Sequence, residues 1–527
     1  MIKNNINYIT IQVLILLTFL FPSITCNSFD QRNNYYIDSI NGNDSNTGTS
    51  SLSPWKSLHN LNNTTFQPGD KILFKSGTTY TGVLQPKGSG TEQAPIIIDT
   101  FGGDKKALIQ GNGLYTSAVL LENIEYWEIQ NLEITNTGND RKAGRTGVTI
   151  IANDYGECHH IYLKHLDIHD VNGSLIKNEG GGSAILWKNS GKVKPSRFVD
   201  LRIENCHLYN CQRNGIISSG YYNRKLWYPS IGVIIRNNLL EGIPGDGIVP
   251  IGCDGALIEY NIMKDCPDIL PHSEAAAGIW PWSSDNTVIQ YNQVIGHNAK
   301  WDGQGFDSDW NCQNTIIQYN YSCHNAGGFL LVCNNGNNIN SDINIGTLGT
   351  IVRYNVSVND GIRNYPTERE GFFSPVFHIT GPVKNTFIYN NIVYIQVKKN
   401  NRIDRTLVKM DNWGGSWPDS TLFANNIFFT HDSTRFFLGE STANIFTNNL
   451  YRGLNLPVDK DGVYDDPSWT DTDKVSDDYK SLDGFMIKRG SPCYNAGIMI
   501  SKQPVSDFFG NLVNNNPSIG IHEFIMK

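Results

Sequence analysis

The chain of 527 residues carries 42 Lys and Arg against 50 Asp and Glu, a formal net charge of -8, with 39% hydrophobic and 17% charged residues. A chain of this make-up buries a large core, and its scattered basic residues form no stripe that nucleic acid would need. Its 50 glycines are spread along the whole length, which suits turn-rich β structure and excludes a low-complexity tail.

The chain opens with Lys3 and an apolar run over 9–21 that breaks at Pro22. This reads as a signal peptide over residues 1–25, too short and too N-terminal for a membrane span, so the expectation is an exported protein: secreted, periplasmic or held at the cell surface. Cys26 follows Ser-Ile-Thr, a loose likeness to a bacterial lipid-attachment site, so a lipid anchor at Cys26 stands beside plain cleavage. Residues 26–34 read as a linker, and 35–123 as an N-terminal cap with the first coils. The 10 cysteines are irregularly spaced and form no disulfide framework. They read mostly as core thiols, with room for one or two disulfides, and no CxxC pair points to zinc.

Residues 124–453 are organised by a recurring phrase, an apolar pair followed by a polar residue and Asn: WEIQN, LRIEN, VIIRNN, ALIEYN, TVIQYN, TIIQYN, TIVRYN, TFIYNN, TLFANN and IFTNN. Counted on Asn131, Asn205, Asn238, Asn261, Asn292, Asn320, Asn355, Asn391, Asn426 and Asn449, most spacings run from 23 to 36 residues, the period of a solenoid built from short strands. The phrases alternate β-branched and polar residues and end in a turn residue, as strands do. The asparagines are expected to adopt left-handed φ and to hydrogen-bond their stacked neighbours. A second strand follows in each coil, often opened by Gly: SAILWK, NGIISS, DGIVPI, AGIWPW, QGFDSD, GGFLLV, SPVFHI and RTLVKM.

With variable segments between these strands, the chain resembles the right-handed parallel β-helix proteins of the pectate-lyase-like superfamily. YYIDSINGNDSNTGTSSLSPWKSL and FQPGDKILFKSG resemble the opening segment of secreted bacterial β-helix proteins, and SPCYNAG, DFFGN and SIGIHEF, within 454–527, their closing segment. The implied fold class is all-β, a right-handed parallel β-helix solenoid. The superfamily includes lyases, hydrolases, esterases, epimerases and adhesins, so the fold leaves the activity open.

Stacking the second strands predicts an inward column of Ile185, Ile216, Ile248, Ile279, Phe306, Phe329, Val376 and Val408. The outward column is then Leu186, Ile217, Val249, Trp280, Asp307, Leu330, Phe377 and Lys409, followed two residues on by Lys188, Ser219, Ile251, Trp282, Asp309, Val332, Ile379 and Asp411. Residues i and i+2 of a strand share a face about 6.6 Å apart, so Asp307 and Asp309 stand together, one coil from Trp280 and Trp282. Asp302 precedes this strand, and Asp246 lies two coils away. Asp254, Asp265 and Asp268 fall in turns and read as caps, while His272 and Glu274 lie on a loop whose charge reads as solubility. Arg363 belongs to an insertion whose alternation with Glu368 and Glu370 suggests internal ion pairs.

Glycosidases need one protonated and one ionised carboxyl, at about 5–5.5 Å for retention or 6.5–9.5 Å for inversion, and an i, i+2 pair satisfies either range. The expectation is a glycoside hydrolase acting on a poly- or oligosaccharide. Asp307 and Asp309 divide the catalytic roles, Asp302 or Asp246 tunes them, and Trp280, Trp282, Trp301, Trp310, Lys409 and Arg363 hold substrate. The aspartates resemble the cluster of the polygalacturonase branch, without its adjacent Asp pair, Gly-His-Gly or Arg-x-Lys, which disfavours pectin. The hydrolase needs no cofactor or metal. Two alternatives remain: a polysaccharide lyase, in which Ca²⁺ on these aspartates neutralises a uronate while Lys300 or Arg363 takes a proton, and a non-catalytic carbohydrate-binding solenoid.

Overall fold

The computed structural model describes residues 32–524 apart from 338, 340, 369–370, 397–404, 414 and 456–458. Parallel strands stack coil upon coil into a right-handed parallel β-helix. The recurring phrase forms one sheet of it, each strand paired to the equivalent strand of the next coil. Its central apolar residue points inward: Ile203, Ile235, Ile258, Ile289, Ile317, Val352 and Ile388 are directly stacked and fully buried. The residues on either side face out, which is why the phrase tolerates Glu, Gln or Arg there.

The asparagines form a ladder from Asn238 to Asn449. Each side-chain oxygen accepts from the backbone N–H and the amide of the Asn one coil before it, as Asn320 does from Asn292 at 2.9 and 3.1 Å. Asp459 ends the ladder by accepting from Asn449. Left-handed φ belongs to the residue before each ladder Asn, among them Tyr260, Tyr291, Tyr319 and Tyr354. Asn131 and Asn205 themselves sit at that left-handed position, so neither is a rung; in the coil of Asn205 the next residue, Cys206, donates its N–H to Asn238. A buried amide satisfied on both sides stabilises the turn, whereas an unpaired one would cost free energy.

The second strands form the sheet that carries the acidic cluster, and here the expected register needs one correction. Phe306 pairs with Leu330, Leu330 with Phe377, and Phe377 with Val408. The inward column therefore holds Leu330 and Phe377 where Phe329 and Val376 were expected. The backbone N–H groups of Phe329 and Leu330 both donate to Val376 O, at 3.0 and 2.9 Å, a bulge that inserts one residue. Gly328 makes it possible: its φ is 106°, and a Cβ there would meet Pro375 O at 2.0 Å. A one-residue shift turns each following side chain to the opposite face. Leu331, His378 and Lys409 thus continue the column of Asp307, while Cys333, Thr380 and Asp411 continue that of Asp309.

The nine described cysteines are all buried and free, which removes the one or two disulfides allowed for among them. Cys26 and the expected signal peptide over 1–25 lie outside the described residues. No helix among the described residues is long and apolar enough to cross a membrane. Beyond the last coil, the chain folds back along the flank: Ser506 O and Ser476 O accept from the hydroxyls of Tyr319 and Tyr321, and Asn390 donates to Ser518 O and Gly520 O.

Candidate active site

On the outer face of the second-strand sheet, a cavity of about 420 Å³ is lined by Asp246, Asp302, Asp307 and Asp309 together with Trp280, Trp282, Trp310 and Trp413. Asp307 and Asp309 come from one strand segment, as the alternation requires. Asp302 arrives by another route: the strand Trp301–Asp302 pairs with Ala275–Ala276, and Gly303, at φ 87°, turns the chain back into the sheet.

The four carboxyls are in different electrostatic surroundings. Asp309 Oδ1 accepts from Trp310 N at 2.5 Å and from Cys333 Sγ at 2.8 Å, and burial raises its pKa above the ordinary value despite these donors. Asp302 is half-buried, and burial followed by the charges of Asp309 and Asp246 raises its pKa to about 6, with Lys177 pulling the other way. Asp307 is only 3% exposed, its Oδ1 has no hydrogen-bond partner, and burial with the neighbouring Asp302 and Asp309 pushes its pKa well up. The opposite holds for Asp246. Burial would raise its pKa too, but Lys177, Arg213 and the Ala277 N–H outweigh that and hold it below the ordinary carboxylate range.

Asp246 is the centre of a buried ionic network. Its Oδ2 meets Arg213 Nη1 at 2.6 Å and Lys177 Nζ at 3.2 Å, while Oδ1 accepts from Ala277 N and Trp280 Nε1 at 3.2 and 3.3 Å. Glu274 completes it, accepting the Lys177 backbone N–H at 2.8 Å and lying 3.5 Å from Arg213 Nε. Glu274 is therefore a buried brace and not a solubilising loop charge. Because buried charges are tolerated only when paired, the network fixes the loop that carries Lys177 against the cavity wall. Neither Asp307 nor Asp309 takes part in an ion pair among the described residues.

The tryptophans divide in two. Trp280 lies under Lys177, whose ammonium is 5.3 Å from the ring centroid, and Trp282 packs between Tyr222 and Trp310 with centroids 5.1 and 5.4 Å apart. Trp301 is 45% exposed and lines neighbouring depressions outside the main cavity, one of them with Lys409, His378 and Trp413. Lys409 lies 3.6 Å from Asp411, which also pairs with His378 at 3.1 Å. Arg363 stands behind the site: its guanidinium donates to the carbonyls of Ala299, Lys300 and Asp302 and to Ser374 Oγ. These bonds pin the segment that presents Asp302.

Sequence reasoning missed Lys177, Arg213, Cys333 and His378. Lys177 and Arg213 lie outside any repeated phrase, whereas Cys333 and His378 emerge from the column once the bulge at Phe329 is known. Away from the cavity, Cys323, His324 and Asp477 bring donor atoms within 4.8 Å of one another. There, Asn359 Oδ1 is held by Gln396 N, so its amide donates to His324 Nε2 and the ring carries its hydrogen on Nδ1, toward the cysteine and aspartate.

Residues 183–352 match the family model described as a right handed beta helix region. Over 617 aligned positions the chain is 26% identical to a lacto-N-biosidase of Bifidobacterium longum subsp. longum, the match covering 93% of this chain and 36% of that protein. The chain thus spans about a third of that relative's length. Two crystal structures of a GH136 lacto-N-biosidase from Eubacterium ramulus are also similar. The selenomethionine derivative superposes with a TM-score of 0.57 at 28% identity, covering 75% of this chain and 67% of that one. The native protein gives 0.56 at 26%, covering 79% and 68%.

Proposed function

We propose that this chain is a glycoside hydrolase that cleaves an oligosaccharide in the tryptophan-walled cavity, with Asp302 as general acid and Asp309 as the ionised carboxylate. The observation that carries this reading is the gathering of four carboxyls in one tryptophan-lined cavity, with burial raising the pKa of Asp302 to about 6 while Asp246 beside it is held below the ordinary range by its cations. A general acid works best with a pKa near the working pH, and about 6 suits Asp302. Two donors on one oxygen of Asp309 hold it in place and favour its anion. Asp307, protonated and with an unpartnered oxygen, hydrogen-bonds a sugar hydroxyl. This assignment places the acid on Asp302, outside the Asp307 and Asp309 pair between which strand alternation divided the catalytic roles.

In the reaction, Asp302 passes its proton to the glycosidic oxygen as the bond to the anomeric carbon breaks. Asp309 meets the positive charge that develops on that carbon, either bonding to it directly or taking a proton from the attacking water. Asp246, neutralised by Arg213 and Lys177, shapes the wall and keeps a cation within range of the reacting carboxyls. Trp280, Trp282 and Trp310 supply the aromatic wall beside the carboxyls against which the sugars pack.

The likeness to lacto-N-biosidases supports glycans that carry a lacto-N-biose unit as the substrate class. The test is incubation with an aryl lacto-N-bioside and with free oligosaccharides bearing that unit, following released disaccharide and its anomeric form by NMR. Absence of cleavage across these and a wider glycan panel would refute the assignment. The lyase alternative is weaker, because the relatives named above are lacto-N-biosidases, Arg363 is committed to carbonyls and Lys300 pairs with Asp268 at 3.4 Å. The non-catalytic alternative leaves the separated protonation states without use. Export, with cleavage near residue 25 or lipidation at Cys26, completes the proposal; N-terminal sequencing and mass of the mature protein test it.

A further inference from the structure

A second cavity, of about 370 Å³, lies farther up the same face and shares Lys177 and Ile217 with the first. It is lined by Ser183, Lys188, Asn214 and Ser219 under the glycine-rich turn at 180–182. The register makes it continuous with the catalytic columns. Leu186 stacks on Ile217 and Ile217 on Val249, and Val249 leads to Trp280 through the Ile248–Ile279 bridge. Lys188 pairs with Ser219, and the same column continues through Ile251 and Trp282, themselves bridged, to Asp309. An apolar floor thus runs unbroken from the second cavity to the carboxyls.

The walls of this cavity carry polar groups that face it without a protein partner. Asn214 is 5% exposed and Ser183 2%. Asn214 Oδ1 accepts from Arg213 Nη1 at 3.0 Å and from Asp246 N at 3.1 Å, which fixes the amide orientation and turns Nδ2 away from these donors. Among the described residues neither that Nδ2, nor the Ser183 hydroxyl, nor the Lys188 ammonium has a hydrogen-bond or ionic partner. The Asn214 NH₂ opens onto the cavity, so its acceptor comes from outside the protein, as water or as a ligand hydroxyl that displaces it.

We propose that this second cavity is a distal subsite for a further sugar unit of the same glycan. The proposal rests on the hydrolase reading above and extends it to substrate length. An apolar floor of Leu186 and Ile217 beneath amide, hydroxyl and ammonium donors is the surface a pyranose fits, with one face of C–H groups and a rim of hydroxyls. Each coil advances about 4.8 Å, close to the length one pyranose adds to a chain, and Ser219 lies three coils from Asp309, about 14 Å. The distal sugar is therefore separated from the cleaved bond by the two or three units that fill the catalytic cavity. Lys177, with its backbone held by Glu274 and its ammonium by Asp246, marks the boundary that the glycan crosses.

The test is calorimetric titration of the Asp309→Asn protein, which binds without turnover, with lacto-N-biose and with a hexasaccharide carrying that unit. The expected result is a hexasaccharide bound at least about tenfold more tightly than the disaccharide, the gain that two or three extra hydrogen bonds provide. Adding Ser219→Trp, which fills the distal cavity from an exposed position, or the pair Ser183→Ala and Lys188→Ala, which removes donors without adding bulk, should bring that ratio down toward one. The ratio cancels any general loss of folded protein. A ratio near one in the parent, or one that survives both sets of substitutions, overturns the distal subsite. Failure of both ligands to bind the parent overturns the hydrolase reading on which it rests.

Discussion

The assignment of Asp302 as general acid is tested by Asp302→Asn measured with two leaving groups. A carboxyl with a pKa of about 6 is half protonated at pH 6. An ordinary aspartate at its model-peptide value would be protonated in just under about 1% of molecules there, so burial and the neighbouring carboxylates enlarge the acid population roughly 60-fold. Removing the acid should lower kcat/KM on a free oligosaccharide by about 10²- to 10⁴-fold, because its alkoxide leaving group needs the proton. On a dinitrophenyl glycoside, whose leaving group departs as a stable anion, the same substitution should cost less than about tenfold. Asp309→Asn should be severe on both substrates, since its role is at the anomeric carbon. The pH profile adds a second measurement: the alkaline limb near 6 should vanish in Asp302→Asn, while the acid limb, set by Asp309, remains. If Asp302→Asn is equally severe with both leaving groups while Asp307→Asn shows the split, Asp307 is the acid and the reasoning from burial and charge is wrong.

Lys177 lowers the pKa of Asp302, so Lys177→Met should move the alkaline limb to higher pH; an unmoved or lowered limb would show that the ammonium does not act on that carboxyl. In the ladder, Asn320→Ala removes bonds to Asn292, Ile289 and Asn355 and leaves buried groups unpaired, so urea unfolding should show a loss of about 2–4 kcal/mol. Asn205→Ala, outside the ladder at a left-handed turn, should cost less, and equal losses at the two sites would refute the ladder's energetic role. Chelation with EDTA should leave activity nearly unchanged, whereas a complete loss restored by Ca²⁺ would move the case to the lyase.

Much of the solenoid was legible because its signal is local and repeated. A strand of three residues with one inward apolar side chain declares itself once ten copies are stacked, and the ladder asparagines are visible because a buried amide must recur in each coil if any one is to be satisfied. Asp307 and Asp309 were legible for the same reason: alternation along one strand fixes their common face. Strand alternation is silent, however, about insertion of a residue where both registers are apolar. GGFLLV satisfies the inward position with Phe329 or with Leu330, and only the double acceptance by Val376 O decides between them; His378 and Cys333 were misplaced as a result. The protonation states were further out of reach. They depend on Lys177 and Arg213 meeting Asp246 across 69 and 33 residues of chain, and on how deeply each carboxyl lies once the loops have closed over it. Local periodicity determines which face a side chain is on; desolvation and charge pairing at that face are properties of the folded surroundings, and they set the direction in which each carboxyl's pKa moves.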